Sequence, residues 1–262
     1  MRIITLGTSN GNSTVSRFNS STLYETNGVL YLVDAGAPVE ALIKRQGLSC
    51  RDIRAAFVTH MHDDHAGGLT GLIKQIIIHG KNRKFVFSLF LPEEKAISAL
   101  KNWFLALHED ANSPLIEYGS VNDGLVYEDD NIHVTAIRTQ HLRTLGRTKG
   151  DPCSFAYVLY FKKENKTVLH SGDLKSDFSD FPKIATEKHF DLCLCEATHY
   201  EPPTAQPIFE KAKFDRLIFI HIADRWHNEI PDAKGENVLL EYCKTYPYPV
   251  SIAHDGEIFI CD

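Results

Sequence analysis

Polar and apolar residues alternate in several short stretches of the chain, and many of the apolar ones are β-branched or aromatic. Alternation with a period of two is typical of β-strands that bury one face. The pattern predicts strands at Ile3–Leu6, Ser21–Tyr24, Leu30–Val33, Ala55–Thr59, Phe85–Phe90, Ile132–Ile137, Ser154–Phe161, Thr167–His170, Leu192–Glu196, Leu217–His221, Pro249–Ala253 and Glu257–Cys261.

Helical spacing of apolar residues is found in fewer segments. Within Glu93–Leu107, Ile97, Leu100 and Phe104 fall near one face of a helix, which should pack on a core. Prolines that suit a first helical turn open two of the predicted helices. The helices are predicted at Pro38–Gln46, Leu69–Ile77, Pro92–Leu107 and Glu236–Lys244.

The order of these elements bears on the number of domains. Strands lead, helices interrupt them and strands return, without a repeat of solenoid length. No stretch rich in Pro, Gly and Ser divides the chain. We therefore expect one α+β domain over residues 1–262. Its segment Lys81–Asp130 could cover a functional site or form a homodimer contact.

Composition places the chain among soluble globular proteins, with 43% hydrophobic and 24% charged residues. No apolar run approaches the roughly 20 residues that a membrane span needs, and the first residues lack the features of a signal peptide. Six cysteines are scattered through the chain rather than forming a dense disulfide framework. We therefore expect a cytoplasmic protein without a membrane partner, with Cys193 and Cys195 as buried thiols.

The negative net charge argues against a long nucleic acid as a partner of this protein. The formal net charge is −6, whereas tight binding to a long nucleic acid needs many lysines and arginines that neutralise phosphates. A small anionic substrate stays possible where metal ions dominate the local charge.

Candidate chemistry is concentrated after the fourth predicted strand, where three histidines and two aspartates lie within six residues. Imidazole and carboxylate are groups that hold Zn²⁺ and similar ions, and placing so many of them in a core without partners is costly. A solvated polar loop is the alternative interpretation. The cluster consists of His60, His62, Asp63, Asp64 and His65.

The residues of one loop cannot supply all the ligands of two metal sites. Further candidate ligands follow in the chain, at the ends of predicted strands. His141 follows the strand at Ile132–Ile137, Asp173 follows the strand that ends at His170, and His221 ends an apolar strand. Each is a weak indication alone, but their order behind the first cluster favours a metal centre.

This order of motifs resembles the metallo-β-lactamase superfamily, whose first motif is His-x-His-x-Asp-His. A His, a bridging Asp and a final His follow there, each at a strand end. The resemblance implies an αββα four-layer sandwich with the site at one edge between two sheets, and a structural role for Asp34 in Leu32–Gly36. It also implies that one ion is held by His60, His62 and His141, the other by Asp64, His65 and His221, and that Asp173 bridges them.

Further segments resemble the tRNase Z and cyclic-phosphodiesterase branch. Leu6–Gly11 and Arg17–Ser21 are similar to its opening, Cys195–Thr198 to its His-Glu-Ala-Thr element, and His221–Trp226 to its His-x-Ser-Ser-Arg-Tyr element, with Arg225 kept. Cys195 replaces a histidine proposed to protonate the leaving group. The stretch from His141 to Asp173 is short for an arm that grips tRNA, which argues against pre-tRNA as substrate.

Several other residues are candidates for the surroundings of the site. Glu196 could fix a ligand histidine by accepting its free N–H. His199 or His227 could replace the missing proton donor, or each could be a surface or satisfied histidine. His254 competes with His221 for the last ligand position, and we favour His221 because its strand and Arg225 fit the motif better.

We therefore expect a hydrolase in which two divalent ions activate a bridging water. We expect zinc, with Mn or Fe as alternatives, and Asp64 as a ligand that also takes up a proton. A small phosphodiester is the expected substrate, and Arg143, Arg147 and Lys149 could meet its phosphate. The alternatives are a hydrolase of a lactone, thioester or other carbonyl compound, and a non-enzymatic metal-binding protein.

Overall fold

The computed structural model describes residues 1–80, 84–144 and 153–261. Its first sheet has the strand order β14-β1-β2-β3-β4-β5-β6. The central strands are parallel from β3 to β6, whereas β1 pairs antiparallel with both β2 and β14. The strands are β1 (Arg2–Gly7), β2 (Ser21–Thr26), β3 (Val29–Val33), β4 (Ile53–Phe57), β5 (Phe87–Leu91), β6 (Ile116–Ser120) and β14 (Glu257–Ile260).

The second sheet has the order β13-β12-β11-β10-β9-β8-β7. The strands β10 to β13 are parallel, and β8 runs in their direction because β8 and β10 are both antiparallel to β9. Carboxyl ends of several strands therefore meet at one edge. The strands are β7 (Gly124–Glu128), β8 (Ile132–Thr139), β9 (Ser154–Phe161), β10 (Lys166–His170), β11 (Leu192–Ala197), β12 (Leu217–Ile222) and β13 (Val250–Ile252).

Helices cover the outer faces of the two sheets. One apolar cluster lies between the first sheet and its helices, a second between the second sheet and its helices, and a third between the sheets. Neighbouring residues Ile3 and Ile4 belong to the third and first clusters, as the alternation of side chains along a strand requires. The helices are α1 (Val39–Arg45), α2 (Asp63–Ala66), α3 (Leu69–Ile78), α4 (Glu94–Ala106), α5 (Ile184–Glu187), α6 (Pro202–Phe209) and α7 (Glu236–Tyr242).

This arrangement confirms the α+β class and the αββα four-layer sandwich. Each predicted strand overlaps an observed one, but β6 and β7, within the Lys81–Asp130 segment, were missed. Both are edge strands that bury little, so their sequences lack clear alternation. The helices α2, α5 and α6 were also missed, and α4 begins at Glu94 rather than at Pro92. A single domain over the whole chain stays a prediction.

Among the described residues, no helix is both long enough and apolar enough to cross a membrane.

Candidate metal centre

The candidate site lies at the edge where the carboxyl ends of β4, β8, β10 and β12 meet. His60 to His65 follow β4, His141 follows β8, Asp173 follows β10, and His221 is part of β12. Two contacts join the sheets at this edge: the amide of Ile222 donates to the carbonyl of Thr8, and that of Phe155 to the carbonyl of Thr59. The fold therefore brings together side chains that are far apart in sequence.

The first group of possible ligands surrounds one oxygen of Asp173. His60 Nε2 lies 3.6 Å and His141 Nε2 3.7 Å from Asp173 Oδ2. His62 Nδ1 is 2.9 Å from His60 Nε2 and 3.4 Å from His141 Nε2. These four side chains form one group that could hold a metal ion.

The second group surrounds the other oxygen of the same carboxylate. His65 Nε2 lies 3.3 Å and His221 Nε2 3.7 Å from Asp173 Oδ1. Asp64 Oδ2 is 3.5 Å from His65 Nε2 and 3.1 Å from His221 Nε2. Asp64, His65 and His221 form another group that could hold an ion, so Asp173 lies between two such groups.

The donor atoms fit divalent ions in spacing and in chemistry. Ligands bound about 2.0–2.1 Å from a tetrahedral Zn²⁺ lie about 3.3–3.4 Å from one another, and the separations in the two groups range from 2.9 to 3.7 Å. His65 Nε2 and Asp173 Oδ1 are buried and have no hydrogen-bond partner. Buried polar atoms without partners are costly unless something binds them, so the cluster indicates divalent metal binding.

Other polar groups fix the orientation of the histidines. Asp34 Oδ2 lies 2.8 Å from His65 Nδ1, and Asp34 Oδ1 accepts a 2.7 Å hydrogen bond from the amide of Thr59. His221 Nδ1 lies 3.0 Å from Thr198 Oγ1, and His141 Nδ1 lies 3.1 Å from the carbonyl of Leu174. These contacts occupy the Nδ1 atoms, so that Nε2 of each ring faces the cluster.

Two residues of the site have an unusual backbone conformation. Asp34 and His221 have φ of +60° and +48°, in the left-handed region that residues other than glycine adopt uncommonly. Strained residues of this kind persist where the surroundings determine their position, and they cluster at functional sites. The strain therefore fits a site with a required geometry.

Glu196 and His199 form, together with Asp173 and His221, a further group of side chains that could hold a metal ion. Glu196 is buried and accepts hydrogen bonds from the amides of Leu174, Thr198 and His199. His199 Nδ1 lies 2.8 Å from Glu196 Oε2 and 3.7 Å from Asp173 Oδ2. The His199 ring lies 4.4 Å from that of His141, centroid to centroid. Glu196 therefore holds His199 rather than a predicted ligand histidine.

Two pKa shifts describe the charges at this site. Burial alone would raise the pKa of Asp64, but the hydrogen bond with His221 and the charge of His65 outweigh it and lower the pKa to about 2. Burial alone would lower the pKa of His199, but the charges of Glu196 and Asp173 raise it to about 9. Both groups are therefore charged at neutral pH.

The remaining predicted residues lie outside the cluster. His227 is buried, with Nε2 2.8 Å from the carbonyl of Ile222. His254 is exposed and pairs with Glu236. Arg225 donates to the carbonyl of Tyr200 and lies over the ring of Trp226.

Other predicted residues differ in exposure and in distance from the site. Cys193 and Cys195 are buried thiols, as predicted. Asp63 is exposed and belongs to none of the groups that could hold a metal ion. Arg147 and Lys149 lie outside the described residues, as does the side chain of Arg143.

Sequence reasoning missed the contact through which Asp34 orients His65, although it noted the Leu32–Gly36 element. It also missed Asp255, which accepts hydrogen bonds from the amides of Thr8 and Phe18 and holds the segment before the site in place. The signal available was only that Asp255 precedes a glycine in a turn.

Comparisons with known proteins agree with this geometry. A sequence model of the family described as Anti-Pycsar protein Apyc1 matches residues 1–205. A stretch of 105 residues is 40% identical to ribonuclease Z of Pseudomonas putida (strain GB-1), covering 39% of this chain and 31%, about a third, of that relative's length. The metallo-β-lactamase fold protein YhfI of Bacillus subtilis has a TM-score of 0.75 at 15% identity, covering 98% of both chains. The short form of human tRNase Z has a TM-score of 0.74 at 19% identity, covering 99% of both. The predicted fold, superfamily and branch are confirmed.

Proposed function

The chain belongs to the Anti-Pycsar protein Apyc1 family, and we propose that it is a metal-dependent hydrolase of small phosphodiesters. One observation carries the proposal. The two oxygens of Asp173 each face a separate group of nitrogen and oxygen donors. A carboxylate placed in this way is suited to bridge two ions.

In this proposal the centre is dinuclear. Zinc is the expected metal, with manganese or iron as alternatives, because imidazole and carboxylate ligands suit all three. Bound ions would lower the pKa of a water and stabilise charge on a phosphoryl oxygen. The residues that would hold them are His60, His62 and His141 on one side, Asp64, His65 and His221 on the other, and Asp173 between them.

Asp64 has the properties of a proton acceptor at this site. Its Oδ2 faces the centre between His65 and His221. We assign to it the orientation of the attacking water and the uptake of a proton from it.

His199 is the candidate proton donor for the leaving group. It lies four residues after Cys195, which stands where the branch has a histidine. Its pKa of about 9 keeps it protonated at neutral pH. Because Nδ1 is held by Glu196, the proton for the leaving oxygen would be the one on Nε2.

Three observations support a small phosphodiester as the substrate. The Cys195–Thr198 and His221–Trp226 elements resemble those of phosphodiester-cleaving relatives, and ribonuclease Z by its name cleaves RNA. The stretch between His141 and Asp173 is short and includes the strands β9 and β10 of the second sheet. The net charge of −6 opposes extended contact with a long nucleic acid.

Elemental analysis of the purified protein and of two variants tests the metal centre. We expect about two ions per chain in the parent, a sharp loss in His62→Ala, and no change in His79→Ala, which removes an exposed histidine. A parent protein that neither carries nor takes up Zn or Mn would refute the proposal.

Turnover then separates the substrate classes. We expect hydrolysis of bis(4-nitrophenyl) phosphate and far slower hydrolysis of 4-nitrophenyl acetate and of a lactone. Preference for the ester or the lactone would replace the phosphodiesterase proposal by a carbonyl hydrolase. Faster cleavage of a pre-tRNA than of any small diester would contradict the small substrate.

A further inference from the structure

A further group of possible metal ligands lies against the two groups that the proposed centre uses. It consists of Asp173, Glu196, His199 and His221, and one donor atom from each lies within 4.8 Å of the others. Glu196 and His199 belong to neither of the other two groups. We call this set of four side chains the Glu196–His199 group.

The separations among its donor atoms suit a divalent ion. His199 Nδ1 lies 2.8 Å from Glu196 Oε2, 3.0 Å from Glu196 Oε1 and 3.7 Å from Asp173 Oδ2. Two ligands of a tetrahedral Zn²⁺ lie about 3.3–3.4 Å from each other. Imidazole and carboxylate are ligands that Zn²⁺ accepts, and a divalent ion balances the negative charges of two carboxylates.

His221 is the member of the group whose two ring nitrogens both have other partners. Its Nε2 lies 3.1 Å from Asp64 Oδ2, and its Nδ1 lies 3.0 Å from Thr198 Oγ1. The hydroxyl of Thr198 donates its one hydrogen to the carbonyl of His221, so Oγ1 accepts the proton of Nδ1. His221 therefore serves the dinuclear centre, and the other three members are the ligands for a further ion.

Burial and charge set the order in which the ions bind. The side chain of His199 is 30% exposed, whereas those of Asp173 and Glu196 are 2% and 1% exposed, so we expect an ion to enter on the side of His199. Asp173 is shared with the dinuclear centre, and ions bound there repel another cation. A further ion should therefore bind after the first two and more weakly.

An ion in this group takes the place of a proton. A carboxylate oxygen only accepts, so the 2.8 Å contact between His199 Nδ1 and Glu196 Oε2 places a proton on Nδ1. When an ion binds Nδ1, this proton passes to solvent. The ring then keeps one proton, on Nε2, and it gives up this last proton far less readily than an imidazolium does. His199 in this state is a poor proton donor for a leaving group.

We propose that the Glu196–His199 group binds a third divalent ion, and that this ion inhibits the enzyme by occupying Nδ1 of His199. The inference rests on the proposed function, because it assigns a regulation to the proposed proton donor. The inhibited form keeps both ions of the dinuclear centre. The metal that activates the enzyme therefore inhibits it when in excess.

Equilibrium dialysis against buffered free Zn²⁺ tests the third ion without relying on turnover. We expect the parent to bind about two ions per chain first and one more at higher free Zn²⁺, and His199→Gln to lack the additional ion. His189→Gln is the matched control and should bind as the parent does, because His189 Nε2 lies 2.7 Å from Asp215 Oδ1 in an exposed pair outside the group. A parent without the additional ion, or a His199→Gln protein that binds it as the parent does, would overturn the assignment.

Two diesters with different leaving groups test the inhibition. Bis(4-nitrophenyl) phosphate releases nitrophenolate, which leaves without a proton, whereas diphenyl phosphate releases the more basic phenoxide. We expect the additional Zn²⁺ to lower kcat for diphenyl phosphate about tenfold or more and to change kcat for bis(4-nitrophenyl) phosphate less than about twofold. In His199→Gln, excess Zn²⁺ should leave both rates as they are in the two-ion form of the same variant.

Failure of the inference and failure of the proposed function give different results. If the parent hydrolyses both diesters and excess Zn²⁺ inhibits both equally, or inhibits His199→Gln as strongly, the inhibiting ion binds elsewhere and the phosphodiesterase proposal stands. If the two-ion parent hydrolyses neither diester, the proposed function fails, and the dialysis result alone decides whether the Glu196–His199 group holds an ion.

Discussion

Replacement of Asp34 by asparagine tests how the fold prepares His65 for a metal ion. Asn adopts the left-handed backbone conformation readily, so the φ of +60° at this position is retained. Its oxygen can still accept from the amide of Thr59, as Asp34 Oδ1 does at 2.7 Å. Its amide group then faces His65 Nδ1, which lies 2.8 Å from Asp34 Oδ2 in the parent.

The substitution changes the protonation of the other ring nitrogen of His65, Nε2. A donor facing Nδ1 favours the tautomer that carries its proton on Nε2, and Nε2 is the atom that faces Asp64 and Asp173. Loss of such an orienting partner typically costs about 10- to 100-fold in metal affinity, which is about 1.4–2.7 kcal/mol. We expect a loss of this size for the ion that His65 would hold.

Competition against a chromophoric chelator measures the affinity, with thermal unfolding of the apo protein as the companion measurement. Asp129→Asn is the matched control, because Asp129 is also a buried carboxylate, accepting from Tyr31 and Tyr127, but is not part of the metal-ligand groups. It should lower stability and leave metal affinity unchanged. If Asp34→Asn binds Zn²⁺ within twofold of the parent, either His65 is not a ligand or Asp34 does not orient it.

Three further predictions follow from particular contacts. A Cβ at Gly36 would lie 2.3 Å from the carbonyl oxygen of Asp64, so Gly36→Ala should lose metal and lower Tm by several degrees. A Cβ at Gly47, where φ is +71°, meets nothing within 4 Å. Gly47→Ala should therefore lower the free energy of unfolding by only about 1–2 kcal/mol. His199→Gln should lower kcat about 100-fold or more for alkyl leaving groups, which need a proton, and little for nitrophenolate; equal losses for both, or loss of metal, would contradict its role as donor. Burial alone would raise the pKa of Asp129, but hydrogen bonds from the Ile132 amide and from Tyr31 hold it below its usual value. The resulting stabilisation is present above the unfolded pKa near 3.9 and is lost as pH falls through the folded pKa, so Tm should fall more steeply below about pH 4 in the parent than in Asp129→Asn.

Local motifs made part of the site predictable. The residues His60, His62, Asp64 and His65 stand in one short loop, so their convergence needed only a turn after a strand. The fold was predictable for a related reason, because buried central strands carry strong apolar patterns. The edge strands β6 and β7 carry weak patterns, since much of their surface faces solvent.

The sequence patterns did not predict contacts between distant segments of the chain. The contact between Asp34 and His65 joins residues 31 apart, and that between Thr8 and Asp255 joins residues 247 apart. Nothing in either segment marks its partner. His254 follows β13, which is parallel to β12, so strand direction does not distinguish it from His221. The side chain of His254 is exposed and pairs with Glu236, whereas that of His221 faces Asp64 and Asp173.

The pairing of β1 with β14 has a consequence for how the chain matures. The first and last strands are neighbours, and Asp64 meets His221 across 157 residues. Contacts of such sequence separation form slowly, because the entropy of closing long loops is lost before the contacts stabilise anything. An ion that binds only the folded centre stabilises it by mass action. Metal scarcity should therefore shorten the lifetime of newly made protein against proteases, before it limits the activity of protein that has already folded.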